Sequence, residues 1–581
     1  MKITAAQALI KELNLWGIDH MYGIPGSSLN GMMEALEKEQ ANMKYIQVRQ
    51  EGAGAMAATA GTKFTGKIGV AFGSGGPGAS NMINGLYDAK LDRVPMLALV
   101  AQGASSIQNT HFFQETEVLP LYENVGVYNR KATNPEQIPY IVNDAIRTAY
   151  ELKGPAIVIL HNDYMETEID YEPLVLDRSL PEPFKYNIPE EKTNDIVQKI
   201  KNAENPVLYV GKGAGDYRDL AVEVAERFNL PVLTSAPSVG LSFPSDHPHY
   251  MGAFGRLGTK PAYEIMQKAD LVLFVGTNFP FARFWPQDIE VVYVNNTFKD
   301  LGRQIHADIA VLADAGDFFK ALLATGETRE ATNYLTAAKT NKVNWDNWLR
   351  KIAADDSNGL APEAVLLKIR EFADKDALFG LDVGNNTMHS VRLLPLNDNQ
   401  KMVLSGWFAT LGYGVPAGLA GKVSEPDKQV FSISGDGGYT MNMQDILTMT
   451  RYELPVINVV LTNQSFGFIE HSQILNLEKP FGVDISDGDW AKSGEAMGAI
   501  AFQVRNLKEL EDAFESIKQL QEQGNKRPIL LEAKTRYFDP VDTSDMRLDP
   551  DLYSEEEIEA FKKQYNIFDM PSYTELLKEL Y

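Results

Sequence analysis

Cysteine is absent from this chain of 581 residues. Without a thiol, the protein cannot form disulfides, thiolate metal sites, iron–sulfur clusters or a cysteine nucleophile. The chain also lacks any apolar window of about 20 residues, the length that crosses a membrane as a helix. The N-terminal segment reads as an amphipathic helix, not a signal peptide, because Lys11, Glu12 and Asn14 interrupt its apolar positions. We therefore predict a cytoplasmic protein with no membrane partner.

Positively charged residues are few: the chain has 54 Lys and Arg but 78 Asp and Glu, which gives a net charge of −24. A surface this acidic disfavours nucleic acid and anionic membranes as partners. It still allows small anionic substrates, because a single pocket can be positive on a negative surface. The length predicts roughly three or four domains.

Short apolar runs alternate with helical patterns along the chain. Examples are KIGVAF (67–72), PMLALVA (95–101), PVLYVG (206–211), DLVLFVG (270–276), QVFSIS (429–434) and PVINVVLTN (455–463). Near-continuous apolar strands separated by helices predict parallel sheets that helices cover on both faces. Polar stretches near 170–195 and 325–360 are predicted linkers. The predicted fold is α/β, with three doubly wound parallel-sheet domains at 1–180, 190–335 and 350–540, then a tail at 541–581.

The first and third domains are predicted to be copies of one unit. A shift of 360 positions places Gly52, Gly54, Ala57, Ala60 and Gly61 on Gly412, Gly414, Ala417, Ala420 and Gly421. One constant offset over such a stretch indicates an internal repeat. The same shift sets Asp436 opposite Gly76, Asn463 opposite Gly103, and Glu51 opposite Leu411. Each copy therefore carries polar residues that the other lacks.

Asp436 and Asn463 each follow an apolar strand, in SISGDGGYT (432–440) and PVINVVLTN. A helix over roughly 441–452, N-capped by Asn442, is predicted between them. Both residues then lie at carboxyl ends of parallel strands, where open α/β sheets bind ligands. Carboxylate and amide oxygens suit Mg²⁺ shared with a phosphate group. An Asp-Gly pair alone is also an ordinary turn, so the pairing with Asn463 and the repeat carry the prediction.

GDGG and LTNQS together resemble the diphosphate and metal motif of the thiamine-diphosphate-dependent enzymes. The resemblance implies a domain that binds the cofactor's pyrimidine, a diphosphate-binding third domain, and Mg²⁺ held by Asp436, Asn463 and a backbone oxygen of Ser465. It implies that thiamine diphosphate contacts Gly384, Gly435, Gly437, Gly438, Phe466 and Gly467. Because the cofactor would lie between the two kinds of domain from two subunits, we expect a homotetramer built as a dimer of dimers.

Glu51, in VRQEGAGA, reads by itself as a helix-start residue favoured by the helix dipole. The resemblance implies instead a catalytic carboxyl group that hydrogen-bonds N1′ of the aminopyrimidine, while Leu411 supports the bent cofactor. A carboxyl group in a water-poor pocket has a raised pKa, which suits proton sharing with a ring nitrogen. Gln50 stands where the family has a His, so no proton relay is assigned to that position.

Within the family, the chain resembles the FAD-containing pyruvate oxidases. The resemblance lies in GAFGRLGTKPAYE (252–264), LFVGTNFPFA (273–282), LGRQIHADIAVLADA (301–315) and the tail segment 547–565. It implies that the middle domain binds FAD through Gly213, Gly215, Ser235, Arg256, Thr277, Asn278, Asn295 and Asp314. The glycines of VGKGAGD alone are a weak dinucleotide motif. Asn295 and Thr297 stand in place of acidic residues, and as neutral groups we expect them to bind a ribose less strongly.

The same resemblance implies that pyruvate lies near Phe113 and Gln114, against an apolar wall of Val383, Phe468 and Ile469, with phosphate near Ser27 and Ser28. For Phe113, core packing is the alternative interpretation. Glu470 and Ser472 replace a Lys and a Glu of the family pattern, which inverts the local charge beside the substrate.

The predicted reaction is oxidative decarboxylation of pyruvate with phosphate and O₂ to acetyl phosphate, CO₂ and H₂O₂. Two alternatives stay open. One is an FAD-containing acetolactate synthase-type carboligase, and the other is a catalytically altered paralogue with a different 2-keto acid substrate.

Overall fold

The computed structural model describes residues 1–180, 185–279, 281, 284–286, 288–394, 399–476, 478–536 and 553–565. Within them the chain forms three six-stranded sheets and one two-stranded ribbon. All neighbouring strands in the three large sheets pair in parallel, as their near-continuous apolar sequences predict. The predicted α/β class with three parallel-sheet units is confirmed.

The first unit begins with a short strand that pairs with the unit's last strand and is followed by a helix capped by Thr4. Its sheet has the order β3-β2-β4-β5-β7-β6. The strands are β1 (Lys2–Thr4), β2 (His20–Gly23), β3 (Lys44–Gln47), β4 (Gly69–Gly73), β5 (Met96–Gln102), β6 (Tyr128–Lys131), β7 (Pro155–His161) and β8 (Glu168–Asp170). The helices are α1 (Ala5–Leu15), α2 (Asn30–Lys38), α3 (Glu51–Thr65), α4 (Pro77–Asn81), α5 (Ile83–Leu91), α6 (Val118–Tyr122), α7 (Ile138–Leu152) and α8 (Asn162–Glu166).

The middle unit has the strand order β11-β10-β9-β12-β13-β14, so the winding reverses at its first strand, β9. The strands are β9 (Pro206–Val210), β10 (Val232–Thr234), β11 (Tyr250–Ala253), β12 (Leu271–Val275), β13 (Glu290–Asn295) and β14 (Ile309–Leu312). Its helices are α9 (Glu190–Asn202), α10 (Arg218–Arg227), α11 (Lys260–Lys268) and α12 (Ala315–Ala324).

Of the two predicted linkers, the first is irregular at 171–180 and 185–189, but its last part, 190–195, begins the helix α9. Arg178 holds it to the first unit through an ion pair with the buried Glu12 at 2.7 Å. The second stretch is not irregular, because most of 325–360 forms the helix α13 (Asn333–Ala353). Its apolar residues Tyr334, Trp345 and Leu349 are buried, and the many polar residues between them masked the helical pattern.

The third unit repeats the topology of the first, with the order β16-β15-β17-β18-β20-β19. The strands are β15 (Leu378–Leu381), β16 (Lys401–Val403), β17 (Val430–Gly435), β18 (Ile457–Thr462), β19 (Ile500–Val504) and β20 (Ile529–Lys534). The helices are α14 (Pro362–Phe372), α15 (Asn385–Leu393), α16 (Gly414–Ser424), α17 (Asp436–Asn442), α18 (Ile446–Arg451), α19 (Gly467–Leu475), α20 (Trp490–Ala496), α21 (Leu507–Glu522) and α22 (Glu555–Tyr565). Most of the predicted tail at 541–581 lies outside the described residues.

The equivalent helices α3 and α16 pack against each other within one chain. A Cβ atom on Gly61 would lie 3.2 Å from Ser424 Oγ, and one on Gly421 would lie 3.3 Å from a ring carbon of Phe64. Small residues on both helices therefore allow the close approach that their sequences predict. This contact joins the two copies of the repeat into one body.

Candidate functional site: two half-sites on equivalent sheets

Asp436 lies where β17 ends and is the first residue of α17. Its carboxylate accepts hydrogen bonds from the backbone N–H of Gly437 at 2.9 Å and of Gln464 at 2.8 Å. The side chain is 3% exposed, and burial raises the pKa of Asp436. The Gln464 bond ties the tip of β17 to the loop after β18, so Asp436 and Asn463 lie on adjacent strand ends as predicted.

The helix after Asp436 differs from the predicted one. It begins at Asp436 itself, ends at Asn442, and is followed by a 3₁₀ turn and the separate helix α18. Asn442 is no helix N-cap for 441–452, and its side-chain amide donates to the carbonyl of Gly412 at 2.7 Å. The prediction failed because two glycines after Asp436 mimic a turn, while burial against Phe466 and Asp382 stabilises a helix there.

The loop after β18 contains a residue in the left-handed backbone region. Gln464 adopts a φ of 60°, which is uncommon for a residue with a side chain. Ser465 is buried, and its hydroxyl donates to Glu470 at 2.7 Å. Burial raises the pKa of Glu470, the residue that replaces a family lysine. The unusual residue thus supports the predicted metal loop directly.

The predicted cofactor glycines lie where side chains would not fit. A Cβ on Gly437 would be 2.8 Å from the ring of Phe466, one on Gly438 would be 2.5 Å from Asp382 Oδ1, and one on Gly467 would be 2.3 Å from Asn385 Nδ2. Gly384, with a φ of 141°, immediately precedes α15. Gly435 ends β17.

The donor set at these strand ends fits a hydrated, phosphate-bound Mg²⁺. A buried carboxylate, an amide side chain and loop carbonyls are hard oxygen ligands. The Oδ1 atom of Asn385, buried beside Gly467, has no hydrogen-bond partner among the described residues. The described part of the chain contains no cluster of three or more His, Asp or Glu side chains able to hold a metal.

Asp382, which the sequence interpretation missed, organises this half-site. The side chain is fully buried and accepts hydrogen bonds from the N–H groups of Val383, Gly412 and Gly414 at 2.8–2.9 Å. Desolvation raises the pKa of Asp382, and these bonds oppose the shift. The carboxylate thereby fixes the backbone on either side of Leu411 and next to Val383. The sequence feature that could have identified Asp382 is a carboxylate directly after an apolar strand, the same pattern that identified Asp436.

Glu51 occupies the equivalent region of the first unit, at the start of α3. It is 8% exposed, and Asn81 Nδ2 donates to its Oε2 at 3.0 Å. Gln50 caps the helix, because its Oε1 accepts from the N–H of Ala53 at 3.1 Å. The residue in place of the family histidine therefore has a structural role. Glu51 is held with Oε1 facing Gly78, where a Cβ would be 3.1 Å away.

The predicted phosphate and substrate residues converge on the same loop. The N–H of Gly75 donates to Ser28 Oγ at 3.3 Å, whereas Ser27 is exposed. Gln114, with a φ of 61°, packs on Gly76 and lines a cleft of about 510 Å³ with Ser80. The first half-site thus contains the carboxyl group, a hydroxyl group and the side of an open cleft.

Two predicted substrate residues do not line a pocket within one chain. Phe113 is 80% exposed and Ile469 is 51% exposed. Core packing of Phe113, the alternative interpretation, is therefore wrong. Exposed apolar side chains beside a cleft are typical of surfaces that a further subunit covers.

The predicted flavin residues lie at the carboxyl ends of the middle sheet. The N–H of Gly213 donates to the carbonyl of Gly276 at 2.9 Å, and Gly215 packs on Leu241. Ser235 Oγ lies 2.6 Å from Ser238 Oγ. Asp314 N-caps α12 by accepting from the N–H of Gly316.

Asn295 is engaged by its own chain. Its amide donates to the carbonyl of Thr277 at 3.3 Å, contacts the Asn278 side chain at 3.1 Å, and accepts from the N–H of Thr297 at 3.0 Å. The side chain is 7% exposed. It therefore stabilises the strand end more than it offers an acceptor to a ligand.

Arg256 joins the middle and third units. Its Cζ lies 3.8 Å from the centre of the Phe468 ring, and its Nη2 donates to the Phe468 carbonyl at 3.1 Å. The predicted flavin site and the predicted apolar wall are therefore in direct contact. In the described residues no helix combines the length and apolar character that a membrane crossing requires.

Comparison with known proteins assigns all three units to one kind of enzyme. Residues 3–121, 193–322 and 382–533 match the N-terminal, central and C-terminal domains described for thiamine pyrophosphate enzymes. A pyruvate oxidase of Lactiplantibacillus plantarum is 37% identical, covering 99% of this chain and 96% of its own. An acetolactate synthase large subunit of Corynebacterium glutamicum is 28% identical (91% and 86%), and a sulfoacetaldehyde acetyltransferase of Roseovarius nubinhibens is 26% identical (92% and 92%).

Proposed function

Since the chain belongs to the thiamine pyrophosphate enzyme family, we propose that it oxidatively decarboxylates pyruvate with phosphate and O₂ to acetyl phosphate, CO₂ and H₂O₂. The observation that supports this reaction most is the 37% identity with a pyruvate oxidase over 99% of the chain. The cofactors are thiamine diphosphate, Mg²⁺ and FAD. The active unit pairs the first half-site of one subunit with the second half-site of another, within a homotetramer.

The second half-site anchors the cofactor's diphosphate end. Asp436, Asn463 and the Ser465 carbonyl hold Mg²⁺, and the close-packed glycines let the diphosphate approach the backbone. When bound, thiamine diphosphate supplies an electron sink for loss of CO₂ and FAD accepts the electron pair. Leu411, whose loop is held by the bonds from Gly412 and Gly414 to Asp382, would support the bound ring system.

Glu51 would hydrogen-bond the far end of the cofactor. Asn81 occupies its Oε2, so Oε1 is available for a ring nitrogen. The buried setting strengthens this hydrogen bond because water does not compete for it.

The substrate end combines apolar and polar groups. Once a second subunit covers the site, Val383, Phe468 and Ile469 would exclude water, which favours expulsion of a carboxylate as neutral CO₂. Ser28 accepts from Gly75, so its hydroxyl proton is free to donate to phosphate. Gln114 and Phe113 reach pyruvate once a second subunit covers the cleft.

An absorption spectrum of the full-length protein tests the proposal. Purified protein with thiamine diphosphate and Mg²⁺ should show a flavin spectrum. Anaerobic pyruvate should bleach it within one turnover, and phosphate with O₂ should then yield acetyl phosphate and H₂O₂ in equal amounts. A protein without flavin, or one whose flavin stays oxidised under pyruvate, contradicts the reaction.

A second candidate is an acetolactate synthase-type carboligase. The observation that favours it is Glu470, a buried acid in place of a family lysine beside the predicted substrate, together with the 28% identical synthase. Formation of acetolactate without flavin bleaching would select this alternative. A different 2-keto acid that bleaches the flavin faster than pyruvate would instead indicate an altered substrate.

A further inference from the structure

Lys212 stands inside the glycine loop of the middle unit, between Gly211 and Gly213. This loop follows β9, the strand at which the winding of the sheet reverses. In doubly wound sheets the crevice outside such a strand end is the usual ligand site. Lys212 therefore belongs to the loop that carries the predicted flavin residues Gly213 and Gly215.

The loop is closely packed around this lysine. A Cβ on Gly211 would lie 2.3 Å from Thr277 Cβ, and one on Gly213 would lie 3.0 Å from the Gly276 backbone. The glycines therefore hold the loop against the end of β12, with little space on that side for a long side chain. Lys212 is solvent-accessible, on the open side.

No hydrogen bond or ion pair joins Lys212 to any residue that the structure describes. The charged groups that face it belong mainly to the first unit: Lys63, Asp88, Asp92 and Lys153. Both aspartates are already bound to Lys63, at 2.9 and 2.6 Å. Asp92 also accepts from the N–H groups of Gly406 and Trp407.

The environment of Lys212 is a cleft and not an open surface. Burial lowers the pKa of its ammonium group, which the nearby Lys63 lowers further. A cation in a cleft whose two facing aspartates are already bound to Lys63 is incompletely compensated. A bound anion in the cleft would remove that penalty.

The ribose end of the predicted site lacks the acid that usually recognises a nucleotide. Asn295 stands there instead, and its amide is occupied by Thr277, Asn278 and Thr297. Binding energy must therefore come from another part of the dinucleotide. The diphosphate is its most highly charged part.

We propose that Lys212 binds the diphosphate of the flavin dinucleotide and replaces, as the main polar anchor, the ribose contact that this chain lacks. The inference rests on the proposed function, in which the middle unit binds FAD. It predicts that the affinity for FAD depends on the positive charge at position 212 of the glycine loop.

The test uses full-length protein from which the flavin has been removed. FAD is added back, and its dissociation constant is measured from the quenching of flavin fluorescence. Lys212→Met should weaken FAD binding about 10- to 100-fold, which is about 1.4–2.7 kcal/mol. Lys212→Arg should retain most of the affinity. Lys320→Met, at an exposed position of α12, is the matched control and should bind as the unaltered protein does.

Ionic strength separates a charge contact from a disturbed loop. The dissociation constant of the unaltered protein should rise with salt, and Lys212→Met should show a flatter dependence. An unchanged affinity in Lys212→Met, or a weakened affinity with an unchanged salt dependence, would overturn the inference and leave the proposed function intact. Absence of FAD binding by the unaltered protein would instead refute the flavin part of the proposed function.

Discussion

The first and third sheet units share one strand order but end their equivalent strands in different residues. After β4 the chain continues as Gly76-Pro77, with a φ of 69° at the glycine, and α4 starts at the proline. After β17 the chain continues as Asp436, which itself opens α17. Gly103 and Asn463 differ in the same way after the next strand. One unit therefore carries a carboxylate and an amide at an edge where the other has only backbone.

The difference continues at the helices that pack the two units together. Helix α3 begins at the buried Glu51, whereas α16 begins three residues after Leu411. The carboxyl group of Glu51 thus starts the helix in one copy. In the other copy the apolar Leu411 lies in the loop before the helix, and Asp382 holds that loop by hydrogen bonds. The two copies of one scaffold therefore carry different polar and apolar residues at equivalent positions.

The largest effect on this difference between the first and third units is expected from Glu51→Gln. Loss of the carboxyl group should lower kcat by about 10²- to 10⁴-fold, because general acid–base assistance is of that size. Thiamine diphosphate should still bind, since the anchoring residues lie in the other unit. Turnover assays and cofactor titration measure the two effects, with Glu37→Gln on the exposed face of α2 as the control. A variant that kept its full kcat would remove Glu51 from the mechanism.

Asp436→Asn removes the negative charge at the strand end of the third unit, where the first unit has the uncharged Gly76. Mg²⁺-dependent binding of thiamine diphosphate should weaken at least about 100-fold, because even residues that only support metal ligands contribute 10- to 100-fold. Quenching of tryptophan fluorescence during cofactor titration measures the change. Asp427→Asn, an exposed acid before β17, should behave as the unaltered protein. Equal affinities for both variants would show that the metal lies elsewhere.

Asp445 connects the units and makes their contact depend on pH. One carboxylate oxygen accepts from the N–H of Arg49 at 2.9 Å and from the Thr448 hydroxyl at 2.8 Å, and the other has no partner among the described residues. Burial raises the pKa of Asp445 to about 6. The folded state therefore binds this proton more tightly than the unfolded chain. Its stabilising effect is complete below about pH 4 and is lost as the pH rises through about 6.

Asp445→Asn should accordingly stabilise the protein at pH 8 by about 1–3 kcal/mol, because the amide keeps the two accepted bonds and removes a buried charge. The difference from the unaltered protein should shrink towards pH 4. Urea unfolding at both pH values, followed by tryptophan fluorescence, measures it. Destabilisation at pH 8 would mean that the charge itself holds Arg49 in place.

The smallest effect is expected at the phosphate end. Ser28→Ala should raise KM for phosphate about 5- to 10-fold, the size of one hydrogen bond, with little change in KM for pyruvate. Ser27→Ala, exposed and next in sequence, is the matched variant and should change neither constant. A larger effect of Ser27 than of Ser28 would reverse the assignment that the Gly75 contact supports.

Much of the fold follows from local pattern. The six quoted apolar runs all form parallel strands, and the small residues of α3 and α16 pack as closely as their composition allows. The errors arose where local pattern and tertiary burial disagree. Helix α13 hides its apolar face among polar residues, and α17 begins at an Asp-Gly-Gly that resembles a turn. In both, burial against distant residues outweighs local preference.

The sequence by itself determined the α/β class, the duplicated unit, and the placement of Glu51, Asp436 and Asn463 at strand and helix ends, because periodicity and repeat spacing are properties of the chain. The tertiary structure decided how those residues are supported. Asp382 accepts hydrogen bonds from the backbone after Leu411, Asn81 orients Glu51, and among the described residues Lys212 has no hydrogen bond or ion pair. These contacts join residues about 30 positions apart or more, or depend on what surrounds a charge, and only folding determines which groups meet and which lose their water.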